Sequence, residues 1–365
     1  MKRNNNQTEH ITQSLKSGML DGRYPAGSRL PTRLELQSDF GASPVTLQKV
    51  ITRLAEEGFI LTRGRQGTFV SETPSHLHRM GLLFELSRED VESSIFLDGL
   101  RKCASRVEQT TSLSFECFYD LKRGMAAPDA VRLMEQVATH RLCGLFIANP
   151  PYGLLGTPAL QDENLPRVMI ESAGKFPDIP RITTPPCAGQ VVEYLAMKGC
   201  RTAALVYTSR HTPDGQNVFV SKWRDEAHEK GILIPTEWCI PAHPALPLSA
   251  RVAMPLLLRP GGERPNAVII ADDNLVSEVT AGILSTGLHV PEDLVVCAHC
   301  NYPFPPVAYV PVKQFGYDLM RIVETAAAML RTQREGKPVP RVTEIQGQLG
   351  GEAWAGPNAS PQVPG

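Results

Sequence analysis

The segment FGASPVTLQKVITRLAEEG, residues 40–58, alternates apolar and polar positions at the period of an α-helix. Its apolar positions are spaced i, i+3, i+4 and i+7, and they are Leu47, Val50, Ile51 and Leu54. Ser43 is a good N-cap residue and Pro44 suits the first helical position, so we expect the helix to begin there. One face must pack on a neighbouring element, which leaves a polar face whose side chains crowd towards the helix start.

The same pattern analysis predicts two more helices and a hairpin around this segment. A helix is expected from about residue 8 to residue 20, and Thr32 with Glu35 forms a capping box before a second helix that ends at Gly41. After the third helix, FILTR and TFV are short β-runs joined by the turn GRQG. Three helices followed by a basic hairpin predict a winged helix-turn-helix.

From residue 79 the pattern changes to continuous apolar runs that alternate with amphipathic stretches. RMGLLFEL, CGLFIANP, TAALVYTS and NAVIIADD are examples of the apolar runs. Such runs predict buried parallel strands, with helices covering both faces of the sheet. About ten strands are expected, which is more than one modest sheet holds. The predicted fold class is therefore α/β, with two lobes whose ligands bind beyond the carboxyl ends of the strands.

These patterns divide the 365 residues into four segments. Residues 1–73 are expected to form the winged helix, 74–79 a polar linker, and 80–349 the two-lobed region. RVTEIQGQL is expected to be a single final strand. The tail, 350–365, is rich in Gly, Pro and Ala, and we expect it to be disordered.

Composition excludes some classes of protein. The chain is 42% apolar and 21% charged, as globular proteins are. No apolar run reaches the roughly 18 residues of a membrane span, and the N-terminus lacks a signal-peptide core, so we expect a cytoplasmic protein without a membrane partner. The eight cysteines show no framework spacing and are expected to be reduced. Cys297 and Cys300 form a lone C-x-x-C, which is a weak metal signal, and no metal or cofactor is expected.

A modest surplus of positive charge lies in the first 75 residues, where DNA would be bound. Residues 1–75 hold ten Lys and Arg against seven Asp and Glu, although the whole chain carries a net charge of −1. We expect Thr46, Gln48 and Lys49 to face base edges in a major groove, because Gln suits adenine and Lys suits guanine. The side chains expected to contact phosphates are Thr32, Ser43, Arg53, Arg63 and Arg65.

For this polar face, the alternative is a solvated helix surface without a partner. The helix pattern, the hairpin and the placement of charge agree with one another, so DNA binding is the favoured hypothesis. Lys16 and Arg23 lie outside this pattern and are expected to be ordinary surface charges.

The first domain also resembles a known family. AGSRLPTRLEL, TLQKVITRLAEEGF and GRQGTFV are similar to elements of the DNA-binding domain of GntR-type bacterial transcription regulators. The resemblance implies DNA contacts at Arg29, Arg33, Ser43, Thr46, Gln48, Lys49 and the wing tip from Arg65 to Gly67. Pro44 and Gln48 stand where the family often has Arg, so the family's operator sequence does not carry over.

A second resemblance covers the C-terminal part of the chain. Residues 265–348, with ADD, GLHVPEDLVV and VKQFG, are similar to the effector-binding domain of LacI-type regulators, which is related to periplasmic sugar-binding proteins. Over residues 79–264 the likeness is one of pattern only. The resemblance implies a two-lobed, periplasmic-binding-protein-like sensor, a homodimer formed through the sensor lobes, and an operator with two-fold symmetry.

Candidate effector contacts follow from the ends of the predicted strands and from nearby rings. They are Ser87, Phe96, Asn149, Tyr152, Glu171, Trp223, Asp273, His299, Asn301 and Gln314. For Asp273, capping the following helix is an equally good reading, and for Asp272 it is the better one. His299 is expected to be a buried histidine rather than a metal ligand.

Two departures from the LacI-type pattern affect the ligand. Cys300 stands where sugar-binding members usually have an Asp, and Phe219 stands where they usually have an Arg. Such a pocket makes fewer charged hydrogen bonds to hydroxyl groups. A less polar ligand, a differently charged ligand and a lost ligand response all stay open.

The sequence therefore predicts a ligand-responsive DNA-binding regulator. We expect a repressor of carbohydrate-related genes that binds double-stranded operator DNA and holds a small effector, expected to be a sugar, in the cleft between its lobes. No phosphate loop, nucleophile elbow or zinc-protease motif is present, so we do not expect an enzyme. The alternatives are a regulator with a degenerate or non-sugar sensor, and an enzyme domain fused to a DNA reader.

Overall fold

Three helices and a hairpin form the first domain, as the hydrophobic pattern predicts. The computed structural model describes residues 2–20, 22–71, 78–171, 175–208, 213–243 and 246–353. The elements of the first domain are α1 (Lys2–Leu20), α2 (Arg33–Phe40), α3 (Pro44–Glu56), β1 (Ile60–Thr62) and β2 (Thr68–Val70). α1 begins at Lys2 rather than near residue 8. Strands β1 and β2 pair antiparallel and form the wing, residues 60–70.

The apolar stripe of α3 is the centre of the domain's core. Leu47, Val50, Ile51 and Leu54 are buried in one cluster with side chains of α1, α2 and the wing. Burying such side chains contributes roughly 1.5–3 kcal/mol each, which is what holds a short helix of this kind in place. The cluster confirms the predicted winged helix-turn-helix.

A six-stranded sheet follows the winged helix. Its elements in chain order are β3 (Arg79–Leu83), α4 (Arg88–Glu92), α5 (Ile95–Thr110), β4 (Ser114–Phe118), α6 (Pro128–Ala138), β5 (Gly144–Ile147), α7 (Pro158–Gln161), β6 (Arg167–Ile170) and β7 (Arg181–Thr183). A late strand, β13 (Val342–Glu344), completes it, and the strand order is β4-β3-β5-β6-β7-β13. β3 pairs parallel with both β4 and β5, and β5 pairs parallel with β6.

The remaining elements include the six strands of a second sheet. They are α8 (Ala188–Met197), β8 (Ala203–Thr208), α9 (Pro213–Glu229), β9 (Cys239–Ala242), α10 (Leu248–Leu257), β10 (Ala267–Ile270), α11 (Val276–Leu284), β11 (Val295–Tyr302), β12 (Val312–Asp318), α12 (Leu319–Arg334) and β14 (Gln348–Ala353). The strand order is β9-β8-β10-β11-β12-β14. Strands β8 to β12 pair parallel and β14 pairs antiparallel with β12.

Each sheet has its own buried apolar core. In both, the central strands are buried along their whole length, as β5 and β10 show. Strands buried on both faces need continuous apolar sequence, which is why the runs GLFI and AVII identify them. The structure confirms the predicted α/β fold class with two parallel sheets.

By packing, the described chain divides into two units. The first contains Met1–Val91, Arg101–Arg181 and Glu324–Arg341, so it includes the winged helix and most of the first sheet. The second contains Glu92–Leu100, Ile182–Val323 and the chain from Val342 onwards. Within the described residues no helix is long and apolar enough to cross a membrane.

The structure corrects the predicted C-terminal end. RVTEIQGQL is not one strand, because β13 and β14 belong to different sheets. The predicted disordered tail begins too early, since residues 350–353 are part of β14. This strand pairs with β12, with Gly316 opposite Gln348 at one end and Val312 opposite Ala353 at the other. The open edge of β12 offers main-chain groups that a Gly-rich segment can satisfy. Residues 354–365, and the linker residues 74–77, lie outside the described part of the chain.

Candidate DNA interface and candidate effector site

The N-terminus of α3 is fixed by its cap. Ser43 is the N-cap residue, and its hydroxyl oxygen accepts a hydrogen bond from the Thr46 amide at 3.1 Å. Pro44 occupies the first turn, where no intrahelical donor is needed. The cap and the buried stripe together leave the first turn of α3 with one exposed face.

The exposed face of α3 matches the sequence-based prediction only in part. Gln48 and Lys49 are exposed, as expected, and the Gln48 amide donates to the Thr52 hydroxyl at 3.1 Å. Thr46 is only 2% exposed, and its hydroxyl is 2.9 Å from that of Ser43. A side chain enclosed in the domain cannot contact a base edge, so we remove Thr46 from the candidate reading surface.

Val45 replaces Thr46 as a candidate contact residue of α3. Its side chain is 66% exposed beside Gln48 and Lys49 on the first turns of α3. An exposed apolar side chain can contact the methyl group of thymine. Sequence reasoning missed Val45, although one signal was available: it is an apolar residue that lies off the buried stripe. The exposed set Val45, Gln48 and Lys49 is called the reading face below.

The start of α2 presents one arginine next to a closed cap. The Thr32 amide donates to the Glu35 carboxylate at 2.6 Å, and the Glu35 amide donates to the Thr32 hydroxyl oxygen at 3.3 Å. The hydrogen bond from the Thr32 amide lowers the pKa of Glu35. This is the predicted capping box, and it leaves Arg33 exposed at the first helical position.

Three arginines gather at the wing. Arg65 is exposed in the turn between β1 and β2, and the Arg63 guanidinium lies 5.1 Å from the centroid of the Phe69 ring. Arg29 forms a β-bridge with Phe69, and a Cβ atom at Gly67 would lie 2.8 Å from the Arg29 Nε atom. Gly67 also has a φ of 107°, a backbone conformation that favours glycine, so the turn accounts for glycine at this position.

Arg53 and Lys16 differ from their predicted roles. Arg53 forms ion pairs with Glu9 at 2.5 Å and with Glu57 at 3.1 Å, and its pairing with Glu9 raises its pKa. Its guanidinium is engaged within the domain, so we remove it from the candidate phosphate contacts. Lys16 is 1% exposed rather than a surface charge, because its ammonium is paired with Glu57.

In the first unit, two of the predicted effector contacts form hydrogen bonds within the protein. The Ser87 hydroxyl donates to Asp90 at 2.9 Å, and the Asn149 side-chain oxygen accepts from the Glu85 amide at 3.2 Å. Tyr152 is exposed and lies 5.7 Å from the Phe176 ring, centroid to centroid. Glu171, by contrast, is buried.

In the second unit, Asp273 and Asn301 meet at the carboxyl ends of β10 and β11. The Asn301 amide donates to the Asp273 carboxylate at 2.6 Å, and both side chains are buried. Burial, together with the nearby Asp272, raises the pKa of Asp273 to about 7. Asp272 accepts from the Asn274 amide at 2.9 Å, which is the capping role expected of it.

An aromatic wall stands beside this polar pair. Trp223 lies 5.8 Å from Phe315, and His299 lies 5.6 Å from both Phe315 and Tyr317, measured between ring centroids. Phe219 extends the wall at 6.4 Å from Trp223. Trp223 and His299 were expected here, whereas Phe315 and Tyr317 on β12 were not. Their signal was the alternation of rings along β12, a strand that the sequence pattern did not predict.

Several polar atoms of the second unit are buried without a hydrogen-bond partner among the described residues. They are Thr208 Oγ1, Trp223 Nε1, Glu278 Oε2, His299 Nδ1, Asn301 Oδ1 and Tyr302 Oη, and of these Thr208, Trp223, His299 and Asn301 are considered for the effector site. Burial lowers the pKa of His299 to about 4, so its ring is neutral at pH 7 and can donate or accept one hydrogen bond. Buried polar atoms of this kind ordinarily have partners, and a bound polar molecule is one way to supply them.

The other candidates in the second unit are buried or partly buried. Gln314 is buried on β12, and Phe96 is half-buried on α5. The two departures from the LacI-type pattern are both present: Cys300 is buried, with a thiol whose pKa burial raises to about 12, and Phe219 belongs to the aromatic wall. Among the described residues, no group of three or more His, Cys, Asp or Glu could hold a metal ion.

Family models match the first domain and the C-terminal part of the α/β region. Residues 7–70 match the model of the gntR family of bacterial regulatory proteins, and residues 192–349 match a periplasmic binding protein-like domain. Across the chain, the arabinose metabolism transcriptional repressor of Geobacillus stearothermophilus is 22% identical over 349 residues, which cover 92% of this chain and 93% of that protein.

The solved structures that resemble this chain share the fold of about three quarters of it. A LacI family transcriptional regulator from Bifidobacterium animalis subsp. lactis has a TM-score of 0.57 at 19% identity, covering 78% of this chain and 99% of that one. A LacI family regulator from Lactobacillus casei, solved with bound glucose, has a TM-score of 0.53 at 18% identity, covering 76% and 100%.

Proposed function

We propose that this transcriptional regulator, which joins a GntR-type winged helix-turn-helix to a LacI-type α/β sensor, is an effector-controlled repressor that binds a two-fold operator as a homodimer. In this proposal residues 1–73 contact DNA, 74–79 connect the domains, and 80–349 form the sensor. A location in the cytoplasm, where the operator DNA lies, belongs to the same proposal.

The reading face carries the proposal. Val45, Gln48 and Lys49 are exposed on the first turns of a helix whose other side is fully packed. A helix that presents its N-terminal residues in this way fits the major groove. Arg33 lies at the start of α2, Arg63 and Arg65 lie on the wing, and Arg29 forms a β-bridge with the wing residue Phe69. These cations suit phosphates on either side of the groove.

For the effector, the best-supported site is the carboxyl edge of the second sheet. The buried polar atoms without partners, the Asp273–Asn301 pair and the aromatic wall lie there together. Rings that stack on a sugar and polar groups that fix its hydroxyls are a common pocket design. The glucose bound to one structural neighbour and the arabinose of one relative's name support a sugar as the class. The expected position in the cleft between the lobes stays a prediction.

Repression with release by the effector is the proposed direction of control. One full-length relative is described as a repressor. The effector can shift the equilibrium only if it binds one conformation of the sensor more tightly than the other. The conformation that binds the effector is then the one whose operator affinity is lower.

A second copy of this chain is the proposed partner of the exposed face of α10. Leu248, Val252 and Leu256 recur there every four residues, and Val252 is 59% exposed. Arg251 and Glu278 lie 3.8 Å apart beside this stripe and are of opposite charge. A two-fold axis through Val252 would place stripe against stripe and each arginine near the copy's acidic residue, which is the self-complementarity that an isologous dimer needs.

Selection of duplexes from a random DNA pool by the full-length protein tests the DNA-binding part. We expect an inverted repeat to be enriched and its affinity to fall steeply with salt, because phosphate contacts release counterions. A pool from which no sequence is enriched would remove the proposal.

A degenerate sensor is the second candidate, and the replacement of the usual Asp by buried Cys300 favours it. Thermal unfolding with a panel of neutral sugars, sugar acids and sugar phosphates separates the two. A raised unfolding temperature with one sugar, and a lowered operator affinity with the same sugar, support the proposed sensor. No shift with any member, in protein that binds its operator, supports the degenerate one.

A further inference from the structure

One buried lysine joins the winged helix to the α/β part of the first unit. Lys16 lies on α1 and is 1% exposed. Its Nζ atom is 2.5 Å from the Glu57 carboxylate and donates a hydrogen bond to the Thr139 carbonyl oxygen at 2.9 Å. The same atom lies 4.9 Å from the centroid of the Phe59 ring.

The two oxygen partners belong to elements with different tasks. Glu57 directly follows the last residue of α3, and Arg53 of α3 pairs with the same carboxylate. Thr139 directly follows α6, which packs on the first sheet. A cation is favoured at the C-terminal end of a helix, where carbonyl groups lack intrahelical partners. The Lys16 ammonium therefore bridges the end of the reading helix and the end of a sensor helix.

Folding stability gives little reason for this arrangement. Removing an ammonium from water is costly, and burial lowers the pKa of Lys16 despite its partner Glu57. Replacing a buried ion pair by apolar side chains is often neutral or stabilising, because the desolvation cost disappears. What a directional bridge adds, and an apolar contact lacks, is a fixed orientation between the two elements it joins.

We infer that Lys16 is a positioning residue that fixes the orientation of the reading helix relative to the sensor, and thereby sets which spacing of half-sites the regulator prefers. The inference rests on the homodimer proposed above. In a dimer, the orientation of each reading helix on the α/β part of its own first unit is one of the factors that set the distance between the two reading faces. The residues 72–77, which join the domains covalently, lie outside the described part of the chain, and the Lys16 bridge is additional to that connection.

The experiment measures the preference for spacing directly. A high-affinity inverted repeat is first selected with the wild-type protein, and duplexes are then made with the spacer shortened or lengthened by one to three base pairs. Fluorescence anisotropy gives the affinity of each duplex, and of a duplex with one half-site, for wild type and for Lys16→Met. Methionine keeps the length and apolar stem of the side chain but cannot bridge the two oxygens.

Wild type is expected to prefer the selected spacing by about tenfold or more, which is the usual size of a coupling between distant sites. Lys16→Met is expected to bind the single half-site as wild type does and to lose most of the preference among spacings. Lys230→Met, the same change on an exposed residue of the second unit, should leave both unchanged.

The other outcomes are distinguishable. A Lys16→Met protein that keeps the wild-type spacing preference overturns the inference and leaves the regulator intact. Equal losses on the half-site and on every spacing, with a lowered unfolding temperature, mean a structural role and also overturn it. A wild-type protein that is monomeric, or that selects no inverted repeat, overturns the proposed function instead. If Lys16→Met does not fold, Glu57→Gln, which removes the charge of the partner, is measured in the same series.

Discussion

At the scale of single residues, two adjacent positions of α3 differ in exposure, and this difference defines the reading face. Val45 and Thr46 are adjacent, yet Val45 is exposed and the Thr46 hydroxyl is enclosed against Ser43. Polarity alone suggests the reverse, because threonine is the residue that could read a base. The rotation of the helix decides the matter, since the buried stripe fixes which side of α3 faces outwards. Burial of the stripe is therefore the better guide to the contact residues.

Substitution of this pair separates binding from stability. Val45→Ala should weaken operator binding by about threefold, as expected for the loss of apolar contact area, without lowering the unfolding temperature. Thr46→Val should lower the stability by about 1 kcal/mol through the lost hydroxyl contact, and leave the affinity of folded protein unchanged. Anisotropy titrations and thermal unfolding of both variants measure this, and the opposite assignment of effects would restore Thr46 to the reading face.

The cations of the DNA surface have a simpler test. Lys49→Ala and Arg65→Ala should each weaken operator binding by about 1–3 kcal/mol in moderate salt. Arg65→Ala should also lower the slope of affinity against salt, because a phosphate contact is lost. Arg53→Ala should change stability more than the salt slope, since its guanidinium is paired with Glu9 and Glu57. An unchanged affinity for Lys49→Ala would contradict the proposed docking.

Asp273 predicts a dependence of stability on pH. Burial and the nearby Asp272 raise its pKa from the ordinary value of 3.8 to about 7, so the folded state holds a proton that the unfolded state releases above pH 4. Its contribution to stability is therefore lost as pH rises from about 4 to about 7. Asp273→Asn cannot ionise, so its unfolding temperature relative to wild type should rise by several degrees from pH 5 to pH 8. The exposed Asp225→Asn is the control, and parallel curves for Asp273→Asn and wild type would contradict the raised pKa.

At the scale of elements, prediction succeeds where burial leaves a pattern in the local sequence. The stripe of α3 and the runs of β5 and β10 are examples. It fails for β7, β9, β12 and β14, whose sequences RIT, CIPA, VKQFGYD and QLGGEA contain charge, Pro or Gly. These segments are strands because a neighbouring strand supplies their hydrogen-bond partners, and that neighbour is distant in sequence. The sequence-based list of aromatic effector contacts was incomplete for the same reason, since Phe315 and Tyr317 lie on β12.

The exposed face of α10 carries its own prediction. Val252→Asp should place two carboxylates against each other at a two-fold axis and shift the protein towards monomer, with a loss of affinity for the inverted repeat. Light scattering on a sizing column gives the mass, and Val131→Asp on the exposed side of α6 is the matched control. A Val252→Asp protein that stays dimeric would move the interface elsewhere.

At the scale of the whole molecule, the sequence could predict the two domain types and their order. Motifs such as GRQGTFV and VPEDLVV are local, and the comparisons confirm what they indicate. The link between the domains could not be predicted in this way. Lys16 and Thr139 are 123 residues apart, and a lysine on an N-terminal helix carries no mark of burial. Only the packing of the first unit shows that this lysine is enclosed and why.

The sensor contributes a main-chain carbonyl to that link, not a side chain. A carbonyl at a helix end is present whatever residue occupies the position. The contact with the Thr139 carbonyl therefore imposes almost no requirement on the sequence of the α/β part. The requirement falls on the winged helix, which must supply the lysine and the acidic partner. If Lys16 has the proposed role, we expect a winged helix with these two residues to keep its bridge on any α/β domain that ends a helix at the same place.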